Sequence, residues 1–145
     1  MFSKTCQYAL QAILYLGVKT IEVKAVGLKE IAASQDIPSH FLSKILQDLV
    51  KRGILKSIKG PNGGFSFKKS PKQLKLIKIV ELIDGPGIWD KCGIGLKSCS
   101  DENPCPIHHK YKLLKADIKV MLTEKNVTEL ALDITEGAAI INYIR

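Results

Sequence analysis

One short stretch of the chain holds four side chains that could bind a metal: Cys92, Cys99, Cys105 and His108. Thiolates and imidazole nitrogens are ligands for zinc, copper and iron–sulfur clusters. The cysteines are spaced Cys-x6-Cys-x5-Cys-x2-His, whereas a single zinc ion is usually held by pairs about two to four residues apart. Wide spacing in a loop that contains Gly93 and Gly95 is more typical of an iron–sulfur cluster. The stretch therefore predicts a cluster site.

Helix geometry selects the fourth ligand and leaves two other interpretations open. Pro106 favours the first turn of a helix, so we expect the Cys105 thiolate at a helix N-terminus. His108 follows one turn later and is the leading fourth ligand, whereas His109 points about 100° away and is expected at the surface. Free thiols that form a redox disulfide, or a structural zinc, remain alternatives. Cys6 is expected to be a small core residue.

The elements that must position this stretch begin with three predicted helices. Apolar spacing predicts helices over residues 4–19, 27–35 and about 39–53, with Ser3 and Ser39 as N-caps and Gly53 after the last turn. The third helix is expected to bury Phe41, Leu42, Ile45, Leu46, Leu49 and Val50. Strands over 54–58 and 65–67, joined by a glycine-rich turn at 60–64, complete the order of a winged helix-turn-helix domain.

The remaining chain is predicted to be helical on both sides of the cysteine stretch. Helices are expected over about residues 72–83 and 106–125, and a short capped helix over 128–132 precedes an apolar end over 138–144. The predicted fold is mainly α with a small β-hairpin. Its three parts are a winged helix-turn-helix domain over 1–85, a cluster-binding loop over 86–105, and a long dimerisation helix with C-terminal tail over 106–145.

The predicted long helix is apolar on more than one side, so we expect it to pack against two neighbours. One neighbour is expected to be the same helix of a second subunit, and packing wholly within its own domain is the alternative. Lysines take its other faces: Lys110, Lys112, Lys115 and Lys119. The residues assigned to the dimer interface step by three and four positions: Tyr111, Leu114, Ile118 and Met121.

Charge is concentrated in the first half of the chain. The net charge is +8, and residues 1–75 hold 13 Lys and Arg against 4 Asp and Glu, whereas residues 76–145 hold 9 against 10. A basic winged-helix module beside a neutral remainder predicts that the N-terminal part binds double-stranded DNA.

Exposed early positions of a recognition helix meet base edges, and later basic residues meet phosphates. The candidate base-reading residues are Ser39, His40, Ser43, Lys44 and Gln47. The candidate phosphate contacts are Lys51, Arg52 and Lys56. Lys59, beside the flexible glycines of the wing, is expected to enter the minor groove.

Several classes of protein are disfavoured by the sequence. Gln7 and Gln11 interrupt the first apolar run, which does not resemble a signal peptide, and no run approaches the roughly 20 apolar residues of a membrane span. We therefore expect a cytoplasmic protein without a membrane partner, whose thiols stay reduced. No nucleophile–base pair, phosphate loop or substrate pocket is apparent, so we do not expect an enzyme.

Taken together, these residues resemble the winged-helix family of the iron–sulfur cluster assembly regulator and the nitric-oxide-sensing repressor. The resemblance covers nearly the whole chain and rests on the three cysteines and on these segments: Tyr8-Ala9-Leu10, Leu28-x-x-Ile31-Ala32, Leu46-x-x-Leu49 and Lys59-Gly60-Pro61-Asn62-Gly63-Gly64-Phe65. It implies a homodimer that binds promoter DNA and carries a [2Fe–2S] or [4Fe–4S] cluster on Cys92, Cys99 and Cys105. His108 matches the position used by the cluster-assembly regulator.

The resemblance also raises an alternative fourth ligand. In the nitric-oxide sensor an aspartate just before the opening tyrosine is supplied by the partner subunit. That position here is Gln7, a poor iron ligand, so the adjacent Cys6 of the partner subunit is the alternative to His108.

We therefore expect a transcription regulator whose promoter binding is controlled by an iron–sulfur cluster that senses redox state, nitric oxide or iron–sulfur status. Cluster loss or oxidation is expected to reorder the loop beside the dimer helix and to shift the two recognition helices. A cluster-free thiol switch or a zinc-stabilised repressor of the same fold is the alternative. An iron–sulfur electron-transfer component is a third, from another class.

Overall fold

A computed structural model describes residues 1–141, and over these residues the chain is mainly helical with one β-hairpin. The helices are α1 (Lys4–Lys19), α2 (Leu28–Gln35), α3 (Ser39–Lys51), α4 (Leu76–Asp84), α5 (His108–Glu124) and α6 (Val127–Thr135), and the strands are β1 (Leu55–Ile58) and β2 (Gly64–Phe67). Short 3-10 helices cover Pro71–Gln73 and Pro86–Asp90. The predicted fold class is confirmed.

Helix α1 is the centre of the main core, and α2, α3, α4 and α6 all pack against it. The helix begins as predicted, because the Ser3 hydroxyl accepts a hydrogen bond from the Cys6 backbone N–H at 3.1 Å. Near its other end Gly17 allows α6 to approach closely, since a Cβ at this position would lie 2.9 Å from Val127 Cγ1. Helix α6 therefore belongs to the same core as the N-terminal helices, rather than to a separate C-terminal arm.

The hairpin is the wing of the domain, and a third segment anchors it. Leu55 lies opposite Phe67, and Ile58 lies opposite Gly64. Beside β2, the Val26 N–H donates to the Phe65 carbonyl at 3.0 Å, and the Phe65 N–H donates to the Val26 carbonyl at 2.8 Å. Gly64 has φ +141°, and a Cβ there would lie 2.3 Å from the Val26 oxygen. Glycine is required at this position because the two backbones meet so closely.

The starts of α3 and α4 differ from the prediction. Pro38, not Ser39, is the N-cap of α3, and Ser39 is already its first helical residue. Helix α4 begins at Leu76 instead of near residue 72, because Leu74 and Lys75 are extended and Lys75 forms an antiparallel bridge with Asn126. The bridge joins the start of α4 to the start of α6, a contact between distant residues that no local pattern contains.

The C-terminal segment is described in part. Asn126 and Glu129 form a capping box at the start of α6, which extends to Thr135 and so beyond the predicted 128–132. Of the predicted apolar end, residues 138–140 are exposed and Ile141 packs against the main core. Residues 142–145 lie outside the described residues. Among residues 1–141 no helix is both long and apolar enough to cross a membrane.

Candidate metal centre and nucleic-acid interface

The segment between the second 3-10 helix and α5, which we call the cysteine loop (residues 91–107), brings the four predicted ligands together as two pairs. The Cys92 and Cys105 sulfurs lie 3.9 Å apart, and the Cys99 sulfur lies 3.2 Å from His108 Nδ1. The loop folds back because the Cys99 N–H donates to the Asp90 carbonyl at 3.3 Å. The pairing therefore joins residues that are distant in the sequence.

Cys105 does not lie at the N-terminus of α5, contrary to the prediction. The helix begins at His108, and its N-cap is Ile107. Cys105 lies before the cap in a turn, in which its carbonyl accepts a hydrogen bond from the His108 N–H at 3.0 Å. Pro106 stands in this turn and not in the helix.

Each pair has nearly the separation expected for two ligands of one tetrahedral metal. Bonds of about 2.3 Å to sulfur and about 2.0 Å to nitrogen place neighbouring ligands about 3.8 Å apart for two sulfurs and about 3.5 Å apart for sulfur and nitrogen. Within residues 1–141, however, no three His, Cys, Asp or Glu side chains converge so as to hold one metal ion. The residues fit two metals with two protein ligands each better than a single ion.

His108 is buried, with 3% of its surface exposed, and a polar group lies next to each of its ring nitrogens. Nε2 lies 2.8 Å from Asp101 Oδ1, and Lys112 Nζ donates to both oxygens of that carboxylate at 2.9 and 2.7 Å. The hydrogen bonds from Lys112 and His108 lower the pKa of Asp101 to about 2. Because an ionised carboxylate only accepts, Nε2 carries the hydrogen, and Nδ1 is the ring atom that faces Cys99.

Backbone amides surround the first cysteine of the loop. Hydrogen bonds from the backbone of Ile94 and Leu96 lower the pKa of the Cys92 thiol, which favours the thiolate needed for metal binding. The loop also packs tightly on α5, since a Cβ on Gly93 would lie 2.9 Å from the Tyr111 ring. Gly93 therefore serves close packing, and Tyr111 faces its own chain.

A buried lysine ties the start of the loop to α5. Lys115 is 5% exposed, and its ammonium donates to the carbonyls of Trp89 and Lys91 at 2.7 and 3.1 Å. The Trp89 indole N–H in turn donates to Glu81 of α4 at 2.9 Å. The helical spacing places this cation outside the apolar stripe but gives no sign of the two carbonyls that hold it.

A cavity of about 320 Å³ opens beside the second ligand pair. Cys99 and His108 line one part of it, and Lys112, Lys115 and Lys119 line another. The cavity is large enough for several waters or a small solute, so this pair is accessible from solvent.

Cys6 lies away from the cysteine loop, in a second apolar cluster with Val80, Trp89 and Leu122. It is fully buried, and burial together with the nearby Asp84 carboxylate raises its pKa to about 12. The expectation of a core cysteine is confirmed. Cys6 of a partner subunit as the alternative fourth ligand stays a prediction, and the burial of the sulfur within its own chain does not favour it.

The predicted base-reading residues share the outer face of α3. Ser39, His40, Lys44 and Gln47 are exposed and Ser43 is half-buried. The opposite face buries Leu42, Ile45, Leu46 and Leu49.

Phe41, which the prediction placed in the core, is 51% exposed and its ring lies 4.2 Å from that of His40. Its neighbour Leu42 takes the buried position, and one residue turns the helix by about 100°. Phe41 is therefore a surface residue that the apolar pattern concealed.

Basic residues continue beyond this face. Lys51, Lys56 and Lys59 are exposed, and Lys59 stands next to Gly60 at the tip of the wing. Arg52 is exposed as well, but its guanidinium donates to Asp48 at 3.0 Å, so a phosphate contact must compete with this ion pair.

The outer face of α5 carries exposed apolar side chains around the exposed Asp117 and is uncovered in the single chain. Over half of each of four side chains is exposed: Leu113, Leu114, Val120 and Met121. Of the residues predicted for the dimer interface, Leu114 and Met121 belong to this face. Tyr111 and Ile118 lie next to them on the helix surface but are half-buried, and Ile118 packs on the apolar cluster around Cys6. The predicted stripe thus lies along the boundary between the exposed and the covered side of α5.

The chain is similar to known transcriptional regulators over most of its length. The family model described as Rrf2, iron-dependent transcriptional regulator, matches residues 2–133. A protein of Aquifex aeolicus named as an HTH-type transcriptional regulator is 36% identical over 132 residues, which cover 90% of each chain.

Two solved structures share the fold. CymR, titled the global cysteine regulator of B. subtilis, has a TM-score of 0.73 at 24% identity and matches 91% of this chain and 96% of its own. The IscR of T. potens has a TM-score of 0.72 at 21% identity and matches 99% of this chain and 95% of its own. At this identity the two structures establish only the fold.

Cys6 is expected to resist alkylation in the reduced native protein at pH 8. A pKa raised from 9.0 to about 12 lowers its thiolate fraction roughly 1000-fold, and the thiolate is the reactive form. Peptide mapping after iodoacetamide treatment should show Cys99 and Cys105 modified first, and Cys6 only after unfolding in urea. Equal rates for Cys6 and Cys99 in the native protein would contradict the placement of Cys6.

Proposed function

Because the chain belongs to the Rrf2 family of transcriptional regulators, we propose that it is a homodimeric DNA-binding regulator whose promoter binding is controlled by a [2Fe–2S] cluster. The proposed ligands are Cys92, Cys99, Cys105 and His108. The observation that carries the proposal is their division into two pairs, 3.9 and 3.2 Å apart. When bound, such a cluster supplies reversible one-electron chemistry that oxidants or nitric oxide can alter.

The contacts around the loop support a route from the ligands to the rest of the molecule. Cys92 directly follows Lys91, whose carbonyl is held by Lys115 of α5. Trp89, held by the same ammonium, reaches Glu81 of α4, and α4 packs on α1, which packs on α3. A rearrangement of the cysteine loop therefore acts on α4 and α5 together. We propose that it shifts the relative placement of the two recognition helices in the dimer.

The proposed dimer interface is the outer face of α5. An apolar patch of this kind on one helix is unusual for a monomer and is typical of a protein–protein interface. Leu114 and Met121 are retained from the sequence prediction, and Leu113 and Val120 join them. Tyr111 and Ile118 support the helix from the inside, within their own chain.

The proposed DNA contacts combine α3 with the wing. The exposed residues at the start of α3 meet base edges in the major groove, and Phe41 offers an apolar surface for a thymine methyl group. Lys51, Arg52 and Lys56 contact phosphates, which position the protein without reading sequence. Lys59 extends the contact to the minor groove.

A thiol switch is a second candidate function, favoured by the 3.9 Å between the Cys92 and Cys105 sulfurs. Hydrogen peroxide can oxidise these two thiols to a disulfide and is itself reduced to two waters. The two sulfurs must then approach to about 2.05 Å. A structural zinc is less well supported, because the described side chains do not converge on one ion.

Anaerobic reconstitution with iron and sulfide is expected to give a brown protein with about two irons and two sulfides per chain. Cys92→Ser, Cys99→Ser and Cys105→Ser should each lose the visible absorbance, since each removes a thiolate ligand. Cys6→Ala is the matched control and should keep it, because Cys6 lies in a separate apolar cluster.

Other outcomes of the reconstitution would contradict the cluster proposal in distinct ways. A colourless protein with stoichiometric zinc indicates a zinc-stabilised repressor. A colourless protein in which peroxide forms the Cys92–Cys105 disulfide and changes DNA affinity indicates a thiol switch. A brown protein that is not retained on DNA at low salt indicates an electron-transfer component.

Lys59→Ala is expected to weaken binding to every DNA sequence and to reduce the slope of log K against log salt by about 1, because the cation that the wing brings between the phosphates lining the minor groove is lost. Fluorescence anisotropy across a salt series measures the slope. Lys78→Ala is the matched control, since Lys78 is an exposed lysine of α4, outside α3 and the wing. An unchanged slope for Lys59→Ala would exclude the wing from the DNA interface.

Leu114→Glu is expected to convert the dimer into a monomer, because a charge would be buried against the second subunit. Sedimentation equilibrium measures the change, and circular dichroism should show an intact fold, since Leu114 is 52% exposed in the single chain. Leu132→Glu on α6, at a side chain that is 43% exposed, is the matched control and should remain dimeric. A dimeric Leu114→Glu variant would move the interface away from this face.

A further inference from the structure

We propose that Asp101 is a positioning residue of the cysteine site. Through its hydrogen bond to His108 Nε2, and with Lys112 behind it, Asp101 holds His108 Nδ1 towards Cys99 and the metal position that these two residues share. The assignment rests on the proposed function, because it specifies how His108 serves as a cluster ligand.

The contacts of the His108 ring determine which of its nitrogens is available to a metal. His108 has Asp101 on one nitrogen at 2.8 Å and Cys99 on the other at 3.2 Å. In a neutral imidazole one ring nitrogen carries a hydrogen and the other has a free lone pair. The hydrogen-bond partner of one nitrogen determines which of the two carries the hydrogen. The Asp101 carboxylate accepts the N–H, so the lone pair is on Nδ1, and a lone pair is what a metal requires.

The Asp101 carboxylate is itself held in place by Lys112. Its side chain is 65% exposed, and an exposed carboxylate alone would orient nothing. Lys112 binds both of its oxygens, at 2.9 and 2.7 Å. Lys112 lies four residues after His108 and so on the same face of α5, one turn further along. Asp101 is thus held at two points on one face of α5. The loop segment between Cys99 and Cys105, which contains Asp101, is held with it.

The hydrogen bond from His108 to Asp101 is expected to change how tightly a metal is bound. A histidine ligand whose second N–H is bound by a carboxylate is fixed in orientation and is a stronger donor, and removal of such a partner typically costs about 10- to 100-fold in metal affinity. The negative charge also favours the oxidised form of a cluster. Loss of the charge should therefore move the reduction potential in the positive direction.

The test compares Asp101→Ala and Asp101→Asn with wild-type protein, and Glu102→Gln is the matched control. Glu102 is the next residue, is exposed, and its carboxylate makes no hydrogen bond or ion pair within residues 1–141. In the cluster-free full-length protein, NMR should show a slowly exchanging His108 Nε2–H that Asp101→Ala loses. This measurement does not depend on a cluster.

In the reconstituted protein, chelator should remove the cluster from Asp101→Ala about tenfold faster than from wild type. Asp101→Asn, which keeps the shape but not the charge, should show a changed visible dichroism spectrum and a more positive reduction potential. Glu102→Gln should match wild type in all of these properties. Thermal unfolding of the cluster-free variants should also match wild type, which excludes a general loss of structure.

The possible failures are distinguishable. If wild-type protein takes up no cluster, the proposed function fails and this assignment fails with it. If wild type takes up a cluster and the Asp101 variants hold it with the same spectrum, potential and loss rate, only the role of Asp101 is overturned. A His108 Nε2–H that persists in Asp101→Ala also overturns that role.

Discussion

The buried ammonium of Lys115 is the interaction on which the cysteine site depends. A charged amine is costly to bury unless its hydrogens are bound, and here the carbonyls of Trp89 and Lys91 accept two of them at 2.7 and 3.1 Å. The face of the Tyr111 ring lies 5.2 Å from the same ammonium. These groups keep the chain against α5 immediately before Cys92. Because the loop has no regular structure of its own, its first ligand owes its position to this cation.

The same contact joins the cysteine loop to the helices of the winged-helix core. Trp89 is bound by Lys115 through its carbonyl and by Glu81 through its indole N–H, and its ring packs in the cluster that contains Cys6 and Leu122. Helices α1, α4 and α5 therefore meet at one side chain. A packed core transmits displacement because it has few voids to absorb it. The proposed movement of the loop would therefore reach α1, the helix on which α3 packs.

Much of the fold could be predicted from the sequence because its signals are local. The periodicity of α1, the glycines of the wing and the outward face of α3 each depend on residues close in the chain. The contacts that complete the structure are between distant residues. No periodic signal predicts that Val26 lies beside β2, that Asn126 lies beside Lys75, or that Lys115 is buried.

Within the candidate site the sequence indicates the three cysteines and the histidine but not how they pair, because spacing alone does not determine how an irregular loop folds back. Phe41 was misplaced because an exposed aromatic residue fits an apolar stripe as well as a buried one does.

The fold alone does not determine what this regulator senses. A cysteine regulator and an IscR share it with nearly equal TM-scores, 0.73 and 0.72, so the difference must lie in residues placed on a common scaffold. In this chain we propose that those residues are the three thiols of the cysteine loop, which is held against α5, and the imidazole of His108. The loop keeps Cys99 and His108 beside a cavity open to solvent, while Cys92 is buried under backbone amides. Each pair therefore joins one buried ligand, Cys92 or His108, to one half-buried thiol. A small molecule would reach either pair first at its half-buried thiol, Cys105 or Cys99, because the buried partner is covered by the chain.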